Sequence, residues 1–391
     1  MEGAHFGELF SVPRFDTLDG NRDNGDIDVL KGEDMKILRK VLKCIGILLA
    51  VLIVLGAAFF VSLMILEYKP ADTEPAEVWS VSETEEARIG QSLTVMTWNV
   101  GFGALGDNAD FFMDGGTMVT TATKERVREN MEGIRAEITS VDPDVVFLQE
   151  VDRDSKRSYH TDMVDYYANE FGGNTAFATN FKTWYLPYPW PPIGKVYSGI
   201  ATITDLTMES SVRLSLPCPY SWPVSMVNLK RCLLVSRVPI EGSDRELVLV
   251  NLHLEAYDDG EGKIEQTKML RSVLQEEVEK GNYVIAGGDF NQVFSNVDIS
   301  AYPVKEGTWE AGYINVEDFG EDLSFHADNT YPTCRSLDQV YAGADHTNFQ
   351  YYMLDGFIVS SNVTVESVET QNLDFVHSDH NPVVIKLTLN E

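Results

Sequence analysis

The sequence predicts an α/β (α+β) fold preceded by one transmembrane helix. Three observations predict it. A long uncharged apolar run lies near the N-terminus. After residue 92, short β-branched runs alternate with helical periods. Several strand-like runs also follow one another with no helix between them. Composition agrees: of 391 residues 44% are hydrophobic and 10% aromatic, enough for a large core and incompatible with a wholly disordered chain. The formal net charge of −31 repels nucleic acid and acidic lipid at long range, which excludes a protein that holds DNA by a basic surface. The four cysteines, Cys44, Cys218, Cys232 and Cys334, include no CxxC pair, so neither a zinc ribbon nor a small disulfide scaffold is expected.

The apolar run is Ile45–Leu66, IGILLAVLIVLGAAFFVSLMIL, with Ser62 its one hydroxyl residue. At helical rise it spans about 33 Å, enough for the hydrocarbon core of a bilayer. A cleaved signal peptide would have an apolar region of roughly 7–15 residues and a small-residue cleavage site. This run ends instead at Leu66-Glu67-Tyr68-Lys69. Lys36, Arg39, Lys40 and Lys43 precede it with no acid among residues 35–43, whereas seven acids face Lys69 and Arg88 in residues 67–88. The positive-inside rule therefore places the N-terminus in the cytoplasm and the rest of the chain outside the cell membrane, a single-pass topology.

The expected organisation is a cytoplasmic tail (1–44), the transmembrane helix (45–66), an acidic Pro- and Ser-bearing stalk (67–91) and one domain (92–391). Residues 1–34 have no sustained period and read as solvated tail. Within the domain, 93–100, 144–149, 247–254, 283–288 and 354–360 read as strands. In 122–140, Val127, Met131, Ile134 and Ile138 share one helical face; in 262–280, Ile264, Met269, Leu270, Val273, Leu274 and Val278 do the same. Runs 197–205, 231–239 and 245–254 suggest antiparallel neighbours.

Several apolar runs end in groups that are costly to bury unpaired. TWNV delivers Asn99, FLQE Glu150, VNLHLE Asn251 and His253, GGDFN Asp289 and Asn291, LDGFIVS Asp355, and SDHNPV Asp379 and His380. Strand ends gathered at one rim would collect acids for a hard cation, imidazoles for proton transfer and carboxamides to orient a polar substrate. Oxygen ligands without cysteine favour Mg²⁺, Mn²⁺ or Ca²⁺ over zinc.

These six motifs, in this order over about residues 93–389, resemble the endonuclease/exonuclease/phosphatase superfamily, the DNase I-like fold. The resemblance implies a four-layer sandwich of two mostly antiparallel β-sheets flanked by helices, with the active site at one edge. It implies hydrolysis of phosphate esters with a divalent metal, usually Mg²⁺. Carried over by motif, Asn99, Glu150 and Asp379 belong to the metal shell, and His253, Asp289, Asn291, Asp355 and His380 to the catalytic set. Asp289 would activate the water, His253 and Asn291 would hold the phosphate, and Asp355 would orient His380. Attack would be in line, with no covalent intermediate. Family members differ in whether one or two metals act, and in which group is the base; both points stay open here.

The remaining features each admit two readings. Residues 183–192, TWYLPYPWPP, form either a loop folded onto the domain, the plainer reading, or a lip over the site that stacks on substrate or dips into the bilayer interface. GFGALGDNADFFMDGGT shapes the cleft rim or is simply a long loop. Cys218 and Cys232 are equally consistent with a disulfide and with free thiols. Tyr197 is as suited to packing as to catalysis. His160, His326, His346 and His377 match no motif and read as structural. The function expected is a membrane-anchored phosphodiesterase acting on a lipid headgroup or small phosphorylated compound. An extracellular nuclease is the alternative, disfavoured by net charge, with Arg153–Arg157 as its candidate basic cluster. An inactive surface binding module is the alternative of another class. No protein partner follows from the sequence.

Overall fold

The computed structural model describes residues 24–258 and 260–391. The chain divides at Ser62/Leu63 into two units. In the first, helix α1 (Asn24–Ile65) contains the stretch Asp34–Ile65, long and apolar enough to cross a membrane. The helix starts well before Ile45, so residues 24–44 are helical where a tail was expected. Once a helix is nucleated, each further residue adds a hydrogen bond, which lets it run on past the apolar segment. Residues 1–23 of the expected tail lie outside the described residues.

The strands of the second unit, among the described residues, are β1 (Thr73–Pro75), β2 (Glu77–Ser80), β3 (Ser92–Asn99), β4 (Val145–Asp152), β5 (Asn174–Leu186), β6 (Gly194–Thr204), β7 (Ser210–Ser215), β8 (Cys232–Pro239), β9 (Glu246–His253), β10 (Tyr283–Asp289), β11 (Gln292–Phe294), β12 (Gly312–Ile314), β13 (Leu323–His326), β14 (Cys334–Arg335), β15 (Tyr351–Tyr352), β16 (Asp355–Ser360), β17 (Val363–Thr370) and β18 (Val383–Leu389). Its helices are α2 (Lys124–Val141), α3 (Met163–Phe171) and α4 (Glu261–Glu279). One seven-stranded sheet has the order β17-β18-β3-β4-β6-β5-β2 and the other β1-β7-β8-β9-β10-β16-β13. Each is antiparallel except at one pair, β3 with β4 and β9 with β10. Those pairs are the ones joined by a crossover helix, α2 and α4, as parallel neighbours require.

In the central strands β3, β4, β8, β9, β10 and β16 side chains alternate and are buried on both faces, which is why these strands read as near-continuous apolar runs. Val95, Phe147 and Ile385 of the first sheet meet Leu234, Leu249, Ile285 and Phe357 of the second. The opposite face of the first sheet, with Met96, Trp98, Val146 and Leu148, packs on Val127, Ile134 and Ile138 of α2 and Tyr167 of α3. That of the second, with Val248, Val250, Val284 and Ile358, packs on Leu270 and Leu274 of α4. The result is two mixed sheets face to face between layers of helix. Ile264, expected on the core face of α4, is 54% exposed; Lys263 and Gln266 are buried in its place.

Residues 67–91 do not form a free stalk. β1 adds to the edge of one sheet beside β7 and β2 to the edge of the other beside β5. Ala87 is fully buried between the sheets, Trp79 packs against the α2 side, and Glu77 pairs with Arg153 at 2.7 Å. The acids and proline that suggest a stalk are also what edge strands carry to resist pairing with other chains. A domain starting at Ser92 is therefore expected to melt about 5 °C or more below one starting at Glu67, measured by scanning calorimetry. Equal melting temperatures would make the segment dispensable.

Candidate active site

The eight residues singled out by the sequence stand in one pocket at one end of the sandwich. Register builds half of it. Asp289, the last residue of β10, lies opposite His253 at the end of β9 and opposite Asp355 at the start of β16. The two carboxylates and the imidazole thus stand side by side at the spacing of neighbouring strands, about 4.8 Å. From the other sheet, β3 ends at Asn99, in register with Gln149 of β4. Glu150 follows at a β-bulge, where β4 gains one residue against β6 between Leu148 and Val151. Its φ of 55° lies in the left-handed region, unfavourable for a residue with a Cβ, and a bulge of this kind re-aims a side chain. Asn291, just past β10, has φ 50°, which asparagine tolerates better.

Asp289 is the hub. Its Oδ2 accepts from Asn99 Nδ2 at 3.0 Å and lies 3.4 Å from His253 Nε2 and 3.7 Å from His380 Nε2. Its Oδ1 accepts the Asn291 N–H at 2.9 Å. Asn99 Nδ2 also reaches Glu150 Oε1 at 3.2 Å. Contacts of 3.2, 3.0 and 3.7 Å therefore lead from Glu150 in the first sheet to His380 in the closing loop. His380 Nδ1 is 2.8 Å from Asp355 Oδ2, and the indole N–H of Trp98 donates to the His380 carbonyl at 2.8 Å. Ser378 Oγ donates to the Asn99 carbonyl at 2.7 Å and fastens that loop, with Asp379, to the end of β3. Asn291 Nδ2 donates to the Leu254 carbonyl at 3.0 Å.

Burial sets the electrostatics. It pushes Asp289 up to about 6, against the pull of the His380 charge, and Asp379 up to about 7, with the Glu150 charge adding to the rise. The two imidazoles are driven apart. His253 is held well below its ordinary value by burial, then by the charges of Arg231 and His380, and is neutral. For His380 burial alone would do the same, but Asp355, Cys334 and Asp289 outweigh it, and the ring holds its proton well above the ordinary value. A neutral and a charged imidazole beside one carboxylate is the separation of acid and base roles that proton-transfer sites use.

The donor set fits a hard divalent cation. Asp289 and Asp355 present carboxylate oxygens within 4.8 Å of each other, beside the charged His380 ring. Asp355 Oδ1 is buried with no hydrogen-bond partner, and the anionic forms of Asp289 and Asp379 are disfavoured by burial. Carboxylate oxygens in this state suit Mg²⁺, Mn²⁺ or Ca²⁺.

Sequence reasoning missed several neighbours. Asp114 Oδ1 accepts from the Tyr257 hydroxyl at 2.8 Å, joining the loop after β3 to the loop after β9. Burial pushes Asp114 up to about 6, and the Glu150 charge adds to this. Arg335 is buried, donates to the Gly106 carbonyl at 2.8 Å, and its N–H bonds the Asp379 carbonyl at 3.1 Å. Arg231 and Glu255, buried and paired at 3.2 Å, stand behind His253. No motif marks these residues; only the acid clusters near Asp114 hinted at a cleft rim. Other expectations resolve plainly. Tyr197 packs on Phe177 with Lys182 over its ring. His160 pairs with Asp154 and His346 stacks on Tyr341. Cys218 and Cys232 are free thiols. At the tip of the β5–β6 hairpin Tyr188 is 70% and Trp190 89% exposed, so these rings are not folded onto the domain. In the basic run, Arg153 is engaged by Glu77, Asp162 and Asp165, and Arg157 by buried Asp152.

Two mixed sheets closing on a pocket of carboxylates, carboxamides and imidazoles define a metal-dependent phosphoesterase. Residues 96–380 match the Endonuclease/Exonuclease/phosphatase family, and the chain belongs to it. Among solved structures, an endonuclease/exonuclease/phosphatase from Beutenbergia cavernae DSM 12333 superposes with a TM-score of 0.50 at 19% identity, over 77% of this chain and 72% of its own. The human Nocturnin catalytic domain with bound sulfate gives 0.48 at 16%, over 81% and 98%. TDP2 from C. elegans gives 0.45 at 15%, over 76% and 75%. The first of these likenesses shows the shared fold. No curated protein matches the chain.

The raised carboxyls dictate a pH dependence. Between about pH 4 and pH 7 the folded state keeps protons on Asp289 and Asp379 that the unfolded chain has released, so stability falls as pH rises through this window. A bound cation needs the ionised forms. In thermal-shift measurements on metal-free protein, Asp289→Asn and Asp379→Asn are expected to gain melting temperature relative to wild type on going from pH 5 to pH 8, and Mg²⁺ to raise the wild-type melting temperature more at pH 8. An Mg²⁺ increment of the same size at both pH values would place the cation elsewhere.

Proposed function

We propose that this chain is a membrane-anchored phosphodiesterase that hydrolyses phosphate diesters of lipid headgroups or small phosphorylated compounds by in-line attack of water. In this reading residues 45–66 span the bilayer, the N-terminus is cytoplasmic, and the domain stands outside. The observation that carries the chemistry is the sharing of Asp289 Oδ2 by Asn99, His253 and His380.

Held on both oxygens, Asp289 is fixed in one orientation. With its carboxyl raised to about 6 it is a better base near neutral pH than an ordinary aspartate. It orients the attacking water and takes its proton. His253, neutral, and Asn291 hold the phosphate. His380, kept charged by Asp355, donates toward phosphate oxygen or leaving group. Asn99, Glu150 and Asp379 would hold the Mg²⁺, which when bound supplies charge stabilisation at the phosphate and leaving oxygens. The acids would otherwise repel a phosphodiester, so turnover depends on the cation.

Three features favour a lipid or small diester over nucleic acid. The arginines of the run Arg153–Arg157 are engaged by acids within the domain. Tyr188 and Trp190 are exposed on one hairpin, and the Tyr188 ring lies 6.3 Å from that of Phe112, two residues before Asp114. Such rings suit the headgroup region of a bilayer. A helix long and apolar enough to cross a membrane in the same chain supports a substrate held in the bilayer.

The test uses the full-length chain in detergent against bis-p-nitrophenyl phosphate, sphingomyelin, phosphoinositides, plasmid DNA and RNA. Hydrolysis is expected to be abolished by EDTA, restored by Mg²⁺, and fastest on a lipid or small diester. Preference for DNA or RNA would make the enzyme a nuclease, and no hydrolysis with any divalent cation would make it a binding module. Asp289→Ala and His380→Ala are each expected to slow turnover by about a hundredfold or more; rates within about twofold of wild type would remove them from the mechanism. Protease added to intact cells is expected to trim the domain.

A further inference from the structure

Cys334 places a thiol in a pocket otherwise built from hard oxygen and imidazole donors. It opens β14, is buried, and forms an isolated antiparallel bridge with His380, while the N–H of the next residue, Arg335, bonds the Asp379 carbonyl. This pairing puts its sulfur, an Asp379 carboxylate oxygen and a His380 ring nitrogen within 4.8 Å of one another. The sulfur's hydrogen bond to the Arg335 carbonyl oxygen, at 3.4 Å, is a weak one.

Mg²⁺ has no use for sulfur, whereas thiolate with imidazole and carboxylate is a donor set suited to Zn²⁺. Zinc bonds of about 2.0–2.3 Å in tetrahedral geometry hold neighbouring ligand atoms roughly 3.3–3.8 Å apart. The three groups therefore need to draw in by about an ångström at most, and zinc on binding displaces to solvent the protons held by the Cys334 thiol and the His380 ring. Three protein ligands leave one position open, as in zinc sites that also bind water or an anion.

We propose that Cys334, Asp379 and His380 form a site for a borderline or soft divalent cation, Zn²⁺ foremost, whose occupation shuts off Mg²⁺-dependent turnover. The binding rests on the cluster alone; the inhibition rests on the proposed phosphodiesterase reading, because zinc would withdraw Asp379 and His380 from it. The pocket thereby reads two cations, a hard one that supports hydrolysis and a thiophilic one that stops it.

Two measurements on the full-length chain in detergent test this. Co²⁺ serves as a spectroscopic stand-in for zinc: the wild type is expected to develop a near-ultraviolet thiolate-to-cobalt charge-transfer band that Cys334→Ser and Cys334→Ala lack. In assays of bis-p-nitrophenyl phosphate at fixed Mg²⁺, both variants are expected to need at least about tenfold more Zn²⁺ for half-inhibition, the lower end of the usual loss on weakening a metal site. Cys334 stands against His380, so half-inhibition is read relative to each variant's own zinc-free rate. Absence of the band in the wild type, or equal zinc sensitivity in a folded variant, overturns the proposal. The band is read on the wild type without turnover, so it decides the site even if the hydrolytic reading fails.

Discussion

Hydrogen bonds that cross between the two sheets are the constraint on which the pocket depends. Asn99 at the end of β3 donates to Asp289 at the end of β10, and one layer deeper Gln149 Nε2 donates to Asn251 Oδ1 at 2.9 Å while Asn251 Nδ2 donates to the Ala201 carbonyl at 2.8 Å. Apolar packing between sheets is non-directional and tolerates sliding. A buried carboxamide left unpaired costs on the order of 1–3 kcal/mol, so these groups are satisfied together in one relative placement of the sheets. That placement is the one that brings strand ends of both sheets to a single carboxylate.

The site is costly to the fold that carries it. Asp289, Asp355 and Asp379 are buried together, two of them with raised carboxyls, and Glu150 holds a left-handed backbone. The surrounding structure over-determines each of them. Thr333 Oγ1 accepts the N–H groups of Leu354 and Asp355, Ser378 ties the closing loop to Asn99, and Arg335 anchors the loop after β3 beneath Asp379. A left-handed Glu150 and an unpaired Asp355 oxygen at the strand ends are features that catalytic centres carry.

Much of this was legible in the sequence, for identifiable reasons. Strands buried on both faces leave continuous apolar runs, and the polar residue closing each run stands out against them; Asn99, His253 and Asp289 are legible for this reason. What escaped depends on tertiary partners. Glu74 on the edge strand β1 and Arg213 on its neighbour β7, 3.9 Å apart, are far apart in sequence, so residues 67–91 read as stalk. Asp114 and Tyr257 meet across the cleft from loops without periodicity. Ile264 sits on the helical stripe by spacing, yet Lys263 takes the buried position with its ammonium 5.2 Å from the Trp309 ring. Cys334 carries no motif, and only its pairing with His380 gives it a place in the pocket.

The account's central claim, that both sheets contribute to one cation-holding pocket, is tested most directly by calorimetric titration of Mg²⁺ into the full-length protein. The comparison is between Glu150→Gln, altering the first sheet, and Asp289→Asn, altering the second. A shared pocket requires each substitution to weaken Mg²⁺ binding by about tenfold or more, Glu150 as a ligand and Asp289 as the carboxylate that orients the ligand Asn99 from 3.0 Å away. Wild-type affinity in either folded variant would contradict it.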